Sequence, residues 1–215
     1  MKIIAAMKKL TFDFRQKKHL KKLRERNRNH DFTLITNNCI GGIIYHNLGL
    51  RFRSPTINLY IKGKEFLAFC ENIEYYLSCD LEEEVDNTIQ FPVGILRPKD
   101  GSHIPIHIYF QHYASFSDAK TKWVERCQRV NWKNIYFIWE FYDELYDNEL
   151  IKQFDRLPIK KYCLLHCDIE EVQNKTIFDC YKNANGKSGM IFTNDGLSGK
   201  RYLDKFDYVS FLNIN

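Results

Sequence analysis

The spacing of apolar residues along the chain predicts an alternation of helices and strands. Ile3, Met7, Leu10 and Phe14 recur at intervals of four, three and four, with Leu20 and Leu23 on a second face, in a stretch without Pro or Gly. That period predicts an amphipathic helix with a Lys/Arg-rich polar side over residues 1–30. Residues 32–36, Phe-Thr-Leu-Ile-Thr, are β-branched and aromatic and predict a buried strand. Residues 40–48 follow as a short helix, with Gly49 at its C-cap. After the Ser54-Pro55 break comes a second apolar run, residues 57–61. Phe66, Phe69, Ile73, Tyr76 and Leu77 return at helical spacing and predict one helix over residues 64–77, while Glu82-Glu83-Glu84 reads as a solvated loop.

Residues 89–96 and 103–110 read as extended runs joined through Asp100-Gly101, the signal of a hairpin-type turn. Ser115 or Ser117 caps a helix reaching about residue 130, with Ala119, Trp123, Cys127 and Val130 as its inner stripe. A strand over 135–141, a helix over 148–157 stopped by Pro158, and a strand over 162–167 complete the regular pattern. The signal then weakens into a polar loop at 183–188, a short strand at 189–193 and an aromatic tail at 202–212. The alternation predicts an α/β fold, a three-layer α/β/α arrangement with a mixed, mostly parallel sheet, the 89–110 hairpin supplying its antiparallel part. The expected organisation is a basic helical leader over residues 1–30 and a single α/β domain over residues 31–215.

Charge separates these two parts. Residues 1–30 carry eleven Lys or Arg against two acids, a net +9, which leaves −4 on the rest of the 215-residue chain. A mildly acidic body argues against nucleic acid as a partner. The leader is expected to be dispensable for folding and to dock on an anionic membrane surface, with packing against the acidic body as the alternative. No run approaches the ~18 apolar residues of a membrane-spanning helix, so the expected location is cytoplasmic, peripheral at the inner face of the membrane where the leader docks. The seven cysteines are odd in number, contain no Cys-x-x-Cys and read as reduced thiols. No Asp-x-Asp motif occurs and His103, His107 and His112 lack a ligand set, so no metal and no cofactor is expected.

In open α/β sheets, ligands bind beyond the carboxyl ends of the strands. Those ends offer Asn37, Asn38 and Cys39; Gln111 and His112; Glu140, Tyr142, Asp143 and Glu144; and His166 with Asp168. His112 shares that rim only if its strand runs parallel to the others. Between a strand and a helix, Asn37-Asn38-Cys39-Ile40-Gly41-Gly42 combines two amides, a thiol and two glycines that allow close backbone approach. Such a turn suits a phosphate or an oxyanion; Cys39 is a candidate nucleophile with His46 or His112 as its base; or the turn is capped by its Asn residues around a buried thiol. Arg126 and Arg129, three apart on one helix, form a candidate anion clamp, against a solvated face paired with Glu125.

The segment FTLITNNCIGGIIYHNLGLRFRSPTINLYI resembles a bacterial family of unknown function labelled exopolysaccharide biosynthesis protein and found among capsule-locus proteins. The matching positions are Asn37-Asn38-Cys39-Ile40-Gly41-Gly42, Leu48-Gly49-Leu50, Ser54-Pro55, Pro92-Val93-Gly94, residues 106–113 and Arg129-Val130-Asn131-Trp132. The resemblance spans residues 30–165 and departs from the family pattern at Ile40, where that pattern has an aromatic residue. It implies a three-layer α/β fold and a place in surface-polysaccharide synthesis, and it supplies no reaction. The resulting expectation is a metal-independent, sugar-modifying transferase, glycosyl ahead of acyl transfer. Asn37, Asn38, Gly41, Gly42, Arg126 and Arg129 would hold a sugar or nucleotide-sugar ligand, and Cys39, His112, Asp143 and Glu144 are the candidate catalytic groups. The alternative is a non-catalytic glycan-binding or assembly factor of the same pathway.

Overall fold

The computed structural model describes residues 2–99, 101–141, 147–178, 190–193 and 198–214, with side chains from residue 9 onward. In chain order the elements are α1 (Lys2–Arg26), β1 (Thr33–Thr36), α2 (Ile40–Leu48), α3 (Gly63–Glu71), α4 (Ile73–Ser78), β2 (Leu81–Glu84), β3 (Val93–Leu96) and β4 (Ile106–Tyr109). Then follow α5 (Phe116–Cys127), β5 (Ile135–Phe141), α6 (Asn148–Arg156), β6 (Lys161–Leu165), β7 (Lys175–Ile177), a 3-10 turn (Tyr202–Lys205) and α7 (Tyr208–Leu212).

β1, β5, β6 and β7 form a parallel sheet in the order β1-β5-β6-β7. Because side chains alternate across a strand, each strand feeds two cores. Ile35, Phe137, Trp139, Cys163 and Leu165 point to one face, where they meet Phe66 of α3, Phe154 of α6, Trp123 of α5 and Ile108 of β4. Leu34, Tyr136, Ile138 and Leu164 point to the other, where they meet Leu23 of α1, Ile44 of α2 and Phe211 of α7. Burial of each such large side chain contributes about 1.5–3 kcal/mol, which is why a strand apolar on both faces, as β5 is at every position but Glu140, sits centrally.

The antiparallel hairpin forms its own sheet, β2-β3-β4, instead of joining the parallel one as expected. Two adjacent residues stitch the sheets together: Tyr60 exchanges backbone hydrogen bonds with Tyr109 at 3.0 and 2.9 Å, and Ile61 N–H donates to Asn37 O at 2.9 Å. Asn58, at φ 62°, turns the 57–61 run into the left-handed region and keeps it from pairing along its length. Three further differences have local causes. The expected helix over 64–77 breaks at Asn72, whose φ of −133° is not helical. Glu82-Glu83-Glu84 lies on the edge strand β2, anchored by buried Leu81 and paired to β3 against its weak intrinsic preference. Residues 190–193 form a turn, Thr193 N–H donating to Met190 O at 3.0 Å, in place of a strand, and the loop at 183–188 lies outside the described residues.

The basic leader is helical, and its second half is docked on the body. Leu23 is buried, Arg24 Nε donates to Asn47 O at 2.8 Å at the end of α2, and Arg26 pairs with Asp207 at 2.6 Å. Gly199, at φ 76°, lies so close that a Cβ there would stand 2.5 Å from Arg15 Cβ and Gln16 N; only glycine lets α1 pass. No helix among the described residues is long and apolar enough to cross a membrane.

Candidate functional site: a cleft at the carboxyl ends of the strands

The turn after β1 explains its own sequence. Asn37 extends the β1–β5 ladder with its side chain: Nδ2 donates to Glu140 O and Oδ1 accepts from Glu140 N, both at 3.0 Å. Asn38 Oδ1 accepts from Ile40 N–H at 3.1 Å and so caps α2, while its Nδ2 donates to Glu140 Oε2 at 2.6 Å. Thr36 Oγ1 donates to Asn38 O at 2.7 Å and accepts from Gly41 N–H at 3.3 Å. A Cβ on Gly41 would stand 2.8 Å from that oxygen, so the first glycine packs the helix onto the strand. Gly42 is the one that opens toward the cleft.

Glu140 and His166, on the ends of β5 and β6, have fully buried side chains, with His166 Nε2 3.1 Å from Glu140 Oε1. A buried carboxylate needs charged or hydrogen-bonding partners, and Asn38 and His166 supply them. The network is the floor of a cleft of about 1220 Å³. Phe52, Tyr60, Trp139, Phe141 and Phe192 give it aromatic walls, while Lys62, Lys64, Arg201, His46 and His112 reach it from the rim. Cys39, Lys62 and Asp147 all line it, and these are the N-cap residues of α2, α3 and α6. Three helix N-termini therefore converge on one space, each with the partial positive charge of its helix dipole. Asp147 caps α6 by accepting from Glu149 and Leu150 N–H, whereas no side chain caps α3.

The structure brings together Asn37, Asn38, Cys39, Gly42 and His112. His112 belongs to this rim because β4 meets the parallel sheet through Tyr60, and its neighbour Gln111 donates to Cys39 Sγ at 3.4 Å. Arg126 and Arg129 are not there. Arg126 is buried in α5, donating to Tyr113 Oη at 2.6 Å and Ile57 O at 3.2 Å; Arg129 pairs with Glu125. The anion clamp expected from their spacing is instead a strut that holds residues 52–57 against α5, the rotation of the helix having turned Arg126 inward. Asp143 and Glu144 lie outside the described residues.

Lys62, Lys64 and Arg201 join the cleft without belonging to any of the motifs above. The first two had a signal: they flank Gly63 at the start of a helix after the 57–61 run, the same junction type as 36–42. Arg201 had none, since its place depends on how the tail folds back over α2, where its Nη1 donates to Asn47 Oδ1 at 3.2 Å.

The environment of Cys39 opposes thiolate formation. Burial pushes the thiol up, the Gln111 hydrogen bond lowers it by less, and the charge of Glu140 adds to the rise. At pH 8 iodoacetamide is therefore expected to modify the exposed Cys167 at least ~10-fold faster than Cys39. Peptide mapping by mass spectrometry reads the order; equal rates would restore Cys39 as a nucleophile.

A known domain family has this sequence pattern: the one described as "Domain of unknown function (DUF1919)" matches residues 8–213. The chain belongs to the DUF1919 family. An uncharacterized protein of Haemophilus influenzae (strain ATCC 51907 / DSM 11121 / KW20 / Rd) is 33% identical to it over 186 residues, 86% of this chain and 85% of the relative. The DUF1919 match extends beyond the 30–165 span of the polysaccharide resemblance and takes in α1 from residue 8. The family's description names no activity, so that resemblance alone supplies the polysaccharide context.

Proposed function

We propose that the protein is a sugar-modifying transferase of surface-polysaccharide synthesis whose cleft takes a phosphate-bearing sugar, such as a nucleotide sugar. The observation that carries the ligand class is the convergence of three helix N-termini with Lys62, Lys64 and Arg201 on an aromatic-walled cleft. Helix termini and cations favour a phosphate, and aromatic faces favour the apolar face of a sugar or a base. The pathway comes from the resemblance of residues 30–165. His112 and His46 at the mouth are the groups placed to move a proton on a ligand, while Glu140 sets the floor and orients Asn38. Asp143 and Glu144, directly after β5 in sequence, remain the alternative bases.

Saturation binding to a panel of nucleotide sugars tests this reading. Binding at millimolar concentration or tighter is expected, weakened ~10-fold or more by combining Lys62→Gln with Lys64→Gln, both exposed side chains. Absence of binding at millimolar concentration, or binding indifferent to those charges, removes it.

A second reading, a non-catalytic glycan-binding factor, draws on the fact that Asn37, Asn38 and Glu140 bond to one another. His112→Ala separates the two: near-complete loss of polysaccharide output with a normal fold marks catalysis, and graded loss marks binding.

A further inference from the structure

We infer that the outer face of α1 is a docking surface for an anionic lipid bilayer, with Leu10 and Phe14 as the inserted residues and Lys17, Lys18 and Lys21 as the headgroup contacts. This stands independently of the ligand reading. The inner face of α1 is occupied: Leu23 is buried, and Gln16, His19 and Leu20 are half-buried against the body. At 3.6 residues per turn, Leu10, Phe14, Lys17, Lys18 and Lys21 fall within about 100° of arc on the opposite side. Leu10 is 74% and Phe14 71% exposed, the three lysines are exposed as well, and among the described residues no contact with the body accounts for two large apolar side chains there.

Charge and chemistry select the occupant. The leader's net +9 stands against −4 on the rest of the chain, so an anionic surface is attracted to this helix and repelled elsewhere. A nucleic-acid backbone would use the lysines and leave Leu10 and Phe14 in water. A second copy would bring three lysines against three lysines. A bilayer interface uses both groups at once, apolar side chains below the headgroups and ammonium groups among them.

Co-sedimentation of the full chain with vesicles tests the surface. With phosphatidylcholine–phosphatidylglycerol vesicles at about 0.1 M salt the protein is expected in the pellet; with phosphatidylcholine alone it stays in the supernatant. At about 1 M salt, where the Debye length falls to roughly 3 Å, most of the binding is lost. Combining Lys17→Gln, Lys18→Gln and Lys21→Gln is expected to weaken binding on the order of 100-fold, and Leu10→Gln with Phe14→Gln at least ~10-fold. All five positions are exposed, so an unchanged thermal midpoint is expected and is measured alongside. A wild-type protein left in the supernatant with anionic vesicles at low salt overturns the proposal. So does an apolar double variant that sediments like wild type, the signature of charge attraction alone, or one that instead turns a dimer into a monomer in light scattering.

Discussion

A Glu140→Ala variant is expected to lose about 3–5 kcal/mol of folding stability, while Glu140→Gln loses about 1 kcal/mol or less. The carboxylate is 1% exposed and joins three elements: Asn38 after β1, its own strand β5, and His166 at the end of β6. Removing it leaves the buried Asn38 amide and His166 imidazole without their shared partner, and an unsatisfied buried polar group costs more than a satisfied one contributes. The Asn38 amide also caps α2, so the loss extends to the turn that shapes the cleft. Glutamine keeps an oxygen that can accept from Asn38 and an NH2 that can donate to His166 Nε2 once the imidazole proton moves to Nδ1, so hydrogen bonding survives without the charge. Urea unfolding at neutral pH, followed by two probes to check two-state behaviour, measures both variants. A Glu140→Ala protein within 1 kcal/mol of wild type would falsify the claim that this network holds the strand ends together.

Deleting residues 2–26 is expected to cost at least about 3 kcal/mol. The cost lies in what the second half of α1 covers. It buries Leu23 against α2, worth about 2 kcal/mol, and its Arg24 bonds the last carbonyls of α2, a charged hydrogen bond worth about 1.5 kcal/mol or more. Arg26 reaches Asp207 at the start of α7, which adds a pH dependence. Burial raises the Asp207 carboxyl, but the hydrogen bonds from Arg26 and Ser210 outweigh it, and its pKa ends below the ordinary 3.8. A carboxylate with a depressed folded pKa stabilises above its unfolded pKa and loses that contribution as pH falls through the folded one. The Asp207 part of the stability difference between the full chain and the 2–26 deletion is therefore lost below about pH 4. Equal melting midpoints for the two proteins would make the helix an appendage, as its charge alone suggested.

That contrast shows which features of the chain are local. The basic helix could be read from period and composition because both are properties of contiguous residues. Its inner face could not, because Gly199 and Asp207, which receive it, lie far along the chain. The same holds in the cleft. Asn37-Asn38-Cys39-Ile40-Gly41-Gly42 was legible as the turn that matters, since amides and glycines between a strand and a helix have few other uses. What the amides do was not legible. They hold Glu140, a residue 102 positions from Asn38, and neither side chain carries a local sign of the other.

Apolar runs and helical spacing are backbone-scale preferences, and they determined most of the strands and helices, the parallel pairing and the rim on which the site sits, but not β2, the break at Asn72 or β7. Two outcomes depended on space instead. Arg126 has the spacing of a surface clamp, yet α5 is turned so that its guanidinium satisfies the Ile57 carbonyl and the Tyr113 hydroxyl, and buried polar groups take whatever partner folding brings within reach. Lys62, Lys64 and Arg201 became one positive rim only when residues 57–61 were stitched between two sheets and the tail returned over α2. The sequence by itself determined most of the elements, because their causes are nearest-neighbour sterics and periodic burial. Only the tertiary structure decided the cleft's charge and chemistry, because hydrogen bonds and electrostatic fields act on distance in space and are indifferent to separation along the chain.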